Sequence, residues 1–199
     1  MHFHLNYFYN YSVGKTSLLN RYVKNEFALQ YKATIGADFL TKSIQQNGDL
    51  IQLQLWDTAG AEKYHSMGQS FYRGSEMCIL VFDITSPETF TSIESWRSEF
   101  LEQLNPSNPN KFPFVLIGNK CDRENEMQVN KEQIQNFCKE HNNMPFYMCS
   151  AKDNIGLEEA FKKIVDMAVE NSKKGEDNFV PKVQNLKLGQ EPKKKKKCC

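Results

Sequence analysis

Lys15 and Thr16 follow directly on Gly14 in the run Val13-Gly14-Lys15-Thr16-Ser17-Leu18-Leu19. These residue types suit phosphate chemistry. Gly14 lets the backbone come close to a phosphate. Backbone N–H groups at a helix start, with the helix dipole, favour an anion. A lysine here can reach the β- and γ-phosphates of a nucleotide, and a threonine hydroxyl can ligate Mg²⁺. The run is the second half of the pattern G-x-x-x-x-G-K-[ST], with Tyr9 at the first glycine position. Taken alone, it reads equally well as a glycine in front of an ordinary helix.

Three later stretches decide between these readings. Asp57-Thr58-Ala59-Gly60, Asn119-Lys120-Cys121-Asp122 and Ser150-Ala151-Lys152 follow in that order, each after an apolar run. A carboxylate at Asp57 can hold Mg²⁺ directly or through water, and Gly60 frees a backbone N–H to approach a γ-phosphate. Asp122 can accept from the N1–H and exocyclic amine of guanine. Adenine offers no such donor pair, so a site built on Asp122 rejects it. Ser150-Ala151-Lys152 would pack on the base, with the Ala151 N–H turned to the guanine oxygen. The blander readings are a strand-terminal Asp in a turn and a surface loop; the order of all four stretches argues against them.

The elements that must position these groups follow from periodicity. Residues 1–10 should form the first strand, although His4 and Asn6 interrupt the near-continuous apolar run of a central parallel strand. Residues 15–24 form a helix with Leu18, Leu19 and Tyr22 on one face. Ala37 to Gln45 and Leu50 to Trp56 are strands, joined at Asn47-Gly48 into an antiparallel hairpin. Strands at Met77–Asp83, Phe114–Asn119 and Pro145–Cys149 then alternate with helices at Pro87–Leu104, Lys131–His141 and Leu157–Glu170. This is an α/β pattern: a six-stranded, mostly parallel sheet with one antiparallel strand and helices on both faces. Ligands of such folds bind at the carboxyl ends of the strands, where all four motifs fall.

Length and charge bound the rest. The 199 residues suit one domain, 1–170, and a flexible basic tail, 171–199. The tail has nine lysines against three acidic residues, a net +6, whereas residues 1–170 have 16 basic against 21 acidic, a net −5. An acidic body argues against a nucleic-acid partner and puts the cationic interaction at the C-terminus. The longest apolar run, Met77 to Phe82, is far below the roughly 20 residues of a membrane span, and the N-terminus does not read as a secretory signal. None of the six cysteines has metal-ligand spacing, and Cys78, Cys121, Cys138 and Cys149 read as reduced thiols.

With these motifs in place, the chain resembles a small GTPase of the Ras superfamily, with a P-loop G domain, and within it the Rab family. Ile35-Gly36-Ala37-Asp38-Phe39, Trp56-Asp57-Thr58-Ala59-Gly60, Phe71-Tyr72-Arg73-Gly74 and Leu80-Val81-Phe82-Asp83-Ile84-Thr85 carry the likeness. The run from Tyr31 to Lys42 is similar to the late-endosomal, Rab-seven-like branch. The resemblance implies GTP and GDP as substrate and product, Mg²⁺ as cofactor, and contacts to the nucleotide from Ser12, Val13, Gly14, Lys15, Thr16, Ser17, Phe27, Tyr31, Thr34, Gly60, Asn119, Lys120, Asp122, Ser150, Ala151 and Lys152. Thr16, Thr34 and Asp57 would hold the metal. Lys15, Thr34 and Gly60 would serve catalysis. Phe39, Trp56 and Phe71 match an aromatic triad shown to effectors. Cys198 and Cys199 resemble a double prenylation signal; two lipid chains anchor stably where one is marginal, and Lys193–Lys197 would add roughly 1 kcal/mol per residue near anionic lipid.

The resemblance also implies an exchange factor, a GTPase-activating protein, a GDP-dissociation inhibitor or escort protein, and effectors. Its setting would be the cytoplasmic face of late endosomes or lysosomes, and the cytosol when extracted. Three positions depart from the pattern: Tyr9 for the first loop glycine, with Tyr11 and Ser12 beside it; the irregular first strand; and Ala61 for the glutamine that orients the attacking water, which predicts slow intrinsic hydrolysis. Two rivals remain. One is a non-hydrolysing or nucleotide-free pseudo-GTPase that acts as an effector scaffold. The other is a nuclear or nucleic-acid-associated protein that uses its lysine run.

Overall fold

The structure, a computed structural model, describes residues 2–8, 12–30, 32–58, 72 and 74–175. Six strands, β1 (His2–Phe8), β2 (Ala37–Gln46), β3 (Asp49–Thr58), β4 (Met77–Asp83), β5 (Phe114–Asn119) and β6 (Phe146–Met148), form one sheet in the order β2-β3-β1-β4-β5-β6. Among the described strands, only the β2–β3 pair is antiparallel. Its turn, Asn47-Gly48, has φ of 52° and 89°, the mirror-image turn whose twist matches that of a hairpin.

The first strand forms where the sequence places it, despite its irregular pattern. His2–Phe8 has a weak pattern for a central position, yet β1 lies between β3 and β4 and pairs in parallel with both. Two parallel neighbours present unpaired main-chain groups that only a strand here can satisfy, and burying such groups unpaired is costly. Topology overrides the composition of a single strand.

Helices α1 (Lys15–Lys24), α2 (Pro87–Thr91), α3 (Ile93–Leu104), α4 (Lys131–Glu140) and α5 (Leu157–Gly175) cover the sheet. The sequence predicts one helix from Pro87 to Leu104; the structure breaks it at Ser92. Ser92 Oγ donates to Glu88 O at 2.8 Å and Thr91 Oγ1 to Pro87 O at 3.0 Å, and back-bonding of this kind bends helices. The last helix runs to Gly175, past Asn171, where composition sets the start of the tail. Its apolar stripe Ala160, Phe161, Ile164, Val165 and Ala168 is buried, and packing carries the helix beyond the point where residue type turns polar. The last strand is shorter than expected, Phe146–Met148 rather than Pro145–Cys149. No described helix is long and apolar enough to cross a membrane.

Two cores flank the sheet. Leu18 and Leu19 of α1, Leu53 and Leu55 of β3, and Phe161 and Ile164 of α5 join one; Leu80 and Phe82 of β4, Ile93 and Phe100 of α3, and Ile134 of α4 join the other. Each such side chain, fully buried, contributes about 1.5–3 kcal/mol. The ring of Tyr22 stacks on Phe161 at 3.5 Å, with the Lys42 ammonium 3.7 Å from the Tyr22 ring centre. That stack ties α1 to β2 and α5, so the helix carrying the phosphate residues is held from two sides.

Candidate functional site

At the carboxyl edge of the sheet, the loop into α1, the ends of β3, β4 and β5, and the loop after β6 converge. Gly14 caps α1 in a left-handed conformation, φ 88°, and its carbonyl takes the first helical bond from Leu18 N–H at 2.9 Å. A side chain there is excluded twice. Residues other than glycine avoid this φ, and a Cβ would sit 2.6 Å from Asn119 Nδ2. Gly14 thus makes room for Asn119 as well as for an anion.

One corner of the site holds the charged and hydroxyl groups expected around phosphate and metal. Thr16 Oγ1 donates to Asp57 Oδ2 at 2.5 Å and lies 2.8 Å from Thr34 Oγ1. Burial lowers the pKa of Lys15 to about 8, against the opposing pull of Asp57. Burial likewise raises the pKa of Asp57, opposed by the Thr16 hydroxyl and by Lys15. Asp57 Oδ1 is buried with no hydrogen-bond partner among the described residues. A carboxylate with an orphaned oxygen beside two hydroxyls is a hard-oxygen donor set that suits Mg²⁺, and such a cation would relieve that orphaned atom. The three metal residues predicted from sequence therefore meet, across 18 and 41 residues of chain.

The opposite corner is organised by Asn119, which is 2% exposed. Its Nδ2 donates to Val13 O at 2.7 Å and its Oδ1 accepts from Ala151 N–H at 3.2 Å. One amide thus joins the phosphate loop, the Asn119–Asp122 loop and the Ser150–Lys152 loop. The Ala151 N–H, predicted to face a guanine oxygen, is bonded to Asn119 in this structure. Ser150 Oγ donates to Asp122 Oδ1 at 2.6 Å and accepts from Asp153 N–H at 3.0 Å. Asp122 Oδ2 lies 3.8 Å from Lys152 Nζ, too far for a hydrogen bond. The Asp122 carboxylate is thereby fixed in place through one oxygen and keeps acceptor capacity on the other. Lys120 pairs with Asp83 at the end of β4, at 2.5 Å.

Phe27 is half-buried, with the Arg21 guanidinium 5.8 Å from its ring centre. Phe39 and Trp56 are direct cross-strand partners on β2 and β3, their rings 4.8 Å apart. Phe39 is 42% exposed, and nearby in sequence Ile35 is 80% exposed. Two of the three predicted effector aromatics therefore form a pair beside the loop that carries Thr34. Tyr9, Tyr11, Tyr31, Gly60, Ala61, Phe71, Cys198 and Cys199 lie outside the described residues.

Sequence reasoning missed Arg21. Its Nε donates to Ala151 O at 2.9 Å, Nη2 to Lys152 O at 3.0 Å and Nη1 to Asn25 O at 3.0 Å. One guanidinium binds the third loop to the end of α1. No local pattern marks it, because its two partners in the third loop are 130 and 131 residues away. Asp83 carries the same signal as Asp57, an acid ending an apolar strand, and is the second site residue that sequence reasoning missed.

Comparison with known proteins agrees with this geometry. The profile of the Ras family matches residues 9–170. The chain is 46% identical over 190 residues to "Ras-related protein Rab-7b" of Paramecium octaurelia, covering 94% of this chain and 91% of that one. Against "Ras-related protein Rab7" of Drosophila melanogaster the identity is 50% over 159 residues, 80% of this chain and 76% of the relative. Against "Ypt/Rab-type GTPase ypt7" of Schizosaccharomyces pombe it is 48% over 160 residues, 80% and 78%.

Proposed function

Because the chain belongs to the Ras family, and within it is a Rab-seven-like small GTPase that binds GTP and GDP and acts in vesicle trafficking, we propose that it is a membrane-anchored switch of the late endocytic pathway with slow intrinsic hydrolysis. The enzyme converts GTP and water to GDP and phosphate. The observation that carries the reading is the convergence of Thr16, Thr34 and Asp57 at one corner and Asn119, Asp122 and Ser150 at the other, on α1 and the strand ends.

This chain's residues divide the work. Lys15 places a cation at the base of the phosphate loop. Thr16 and Asp57 would hold Mg²⁺ together with Thr34, and the ion would supply charge neutralisation between the phosphates. Asp122, fixed by Ser150, reads the guanine edge. Thr34 comes from a loop with exposed flanks, Lys32, Ala33 and Ile35. Its tie to Thr16 supports a loop ordered by the phosphate side and released with the γ-phosphate. The exposed Phe39 beside Trp56 supports effector reading on the same side.

Ala61 supports slow turnover, since a methyl group neither donates to nor accepts from a water. The double cysteine and lysine run support anchoring through prenylated Cys198 and Cys199 on the cytoplasmic face of late endosomes or lysosomes, with an escort protein or GDP-dissociation inhibitor carrying the extracted form, and an exchange factor and a GTPase-activating protein setting the state.

The test is to release and identify the nucleotide carried by the purified recombinant chain, and to time single-turnover hydrolysis in wild type and Ala61→Gln. Bound guanine nucleotide, with faster turnover in the variant, is the expected result. An empty folded protein refutes the switch reading and favours a nucleotide-free scaffold. Equal rates in the two proteins remove the account of position 61.

A further inference from the structure

The Lys120 backbone is left-handed, φ 68° and ψ 35°. For a residue other than glycine or asparagine this is uncommon and costs about 1 kcal/mol. Seven of the eight non-glycine residues with positive φ among the described ones are Asn or Ser; Lys120 is the exception. A strained backbone persists where the surroundings over-determine it, so the partner of its side chain matters.

That partner is Asp83. The register places Asp83 directly across from Asn119, the residue before Lys120. The carboxylate is nearly buried, its side chain 8% exposed. Its Oδ1 accepts from Thr85 N–H at 2.9 Å and Thr85 Oγ1 at 2.7 Å, and its Oδ2 meets the Lys120 ammonium at 2.5 Å. The next residue, Ile84, holds both ends of the same loop. Ile84 N–H donates to Asn119 O at 3.2 Å, and Ile84 O accepts from Gln128 and Val129 N–H at 2.9 and 3.2 Å. A buried carboxylate with three donors, one of them a left-handed lysine, is a fixed charge aimed at one side chain.

We propose that Asp83 is a positioning residue for guanine nucleotide, acting through Lys120: it draws the ammonium to the end of β4, so that the aliphatic stem of Lys120 forms a fixed wall of the base site beside Asp122. This rests on the guanine-nucleotide reading. Without the carboxylate, the ammonium leaves for solvent, the left-handed turn loses its compensation, and the wall becomes mobile. The nucleotide then departs faster while the sheet stays intact, because Asp83→Asn keeps the oxygen that accepts from Thr85.

The experiment measures dissociation of a fluorescent GDP from the full chain in wild type, Asp83→Asn, Lys120→Met and the double variant, with thermal unfolding of each. Asp83→Asn should release nucleotide about tenfold faster, as the loss of one charge-assisted hydrogen bond predicts. Lys120→Met should do the same or more, and the double variant should be no faster than Lys120→Met alone. Equal effects of Asp83→Asn with and without Lys120 would show a general structural role and overturn the proposal, as would an unchanged rate in Asp83→Asn. Wild type that fails to bind the probe at all refutes the guanine-nucleotide reading instead.

Discussion

Removing the Asn119 side chain tests the cross-link on which the site rests. Asn119→Ala takes away the donor to Val13 O and the acceptor for Ala151 N–H, both buried. A buried polar group left without its partner costs about 1–3 kcal/mol. Two such groups amount to about 2–6 kcal/mol by the same measure. The atoms affected are main-chain groups of the phosphate loop and the base loop, whose residues Val13 and Ala151 also reach into the core beneath the site, so the cost falls on the loops that hold the nucleotide. At the lower bound, about 2 kcal/mol, affinity for GDP drops about 30-fold. Stopped-flow release of fluorescent GDP reads this directly, and thermal unfolding with and without nucleotide apportions the loss. Asn119→Asp sharpens the test. It keeps an acceptor for Ala151 N–H but sets a second oxygen against Val13 O, so it should bind GDP no better than the alanine variant. If Asn119→Ala releases GDP within about twofold of wild type while its unfolding temperature falls, the amide supports the fold alone. The account of three loops joined through one side chain is then refuted.

Arg21→Lys keeps the charge but loses the fork that spans Ala151 O, Lys152 O and Asn25 O, so GDP should dissociate several-fold faster, measured by the same probe. Gly156→Ala would put a Cβ 2.3 Å from Met148 O with φ at 72°; the loop after β6 must shift, and the unfolding temperature should fall by several degrees on calorimetry. Burial raises the pKa of Cys138 to about 11 and of Cys149 to about 12. At pH 8 their thiolate fractions are therefore about 10⁻³ and 10⁻⁴, and iodoacetamide followed by mass spectrometry should find both unmodified until denaturant is added.

Most of the architecture was legible because local rules sufficed. The β2–β3 hairpin is written in its alternation and in Asn47-Gly48, and β4 and β5 are short apolar runs whose bounds the structure reproduces. The break at Ser92 was not legible, because hydroxyl back-bonding competes with a helix pattern that is otherwise unbroken. Nor was the extension to Gly175, where packing of α5 on the sheet outweighs polar composition.

The sequence by itself determined which chemistry the chain can perform. Lys15, Thr16, Asp57, Asn119, Asp122 and Ser150 are fixed by type and order, and the strand-then-helix alternation places them at strand ends. Their division of labour was decided by the tertiary structure. Asn119 faces Val13 and Ala151 rather than being defined by its own motif, Arg21 reaches across 130 residues, and Asp83 holds Lys120. His2–Phe8 is central because its neighbours' main chains need a partner, whatever its side chains. The physical reason is common to all of these. Periodicity and propensity act within a few residues, whereas hydrogen bonds between loops depend on distances that only the assembled sheet sets.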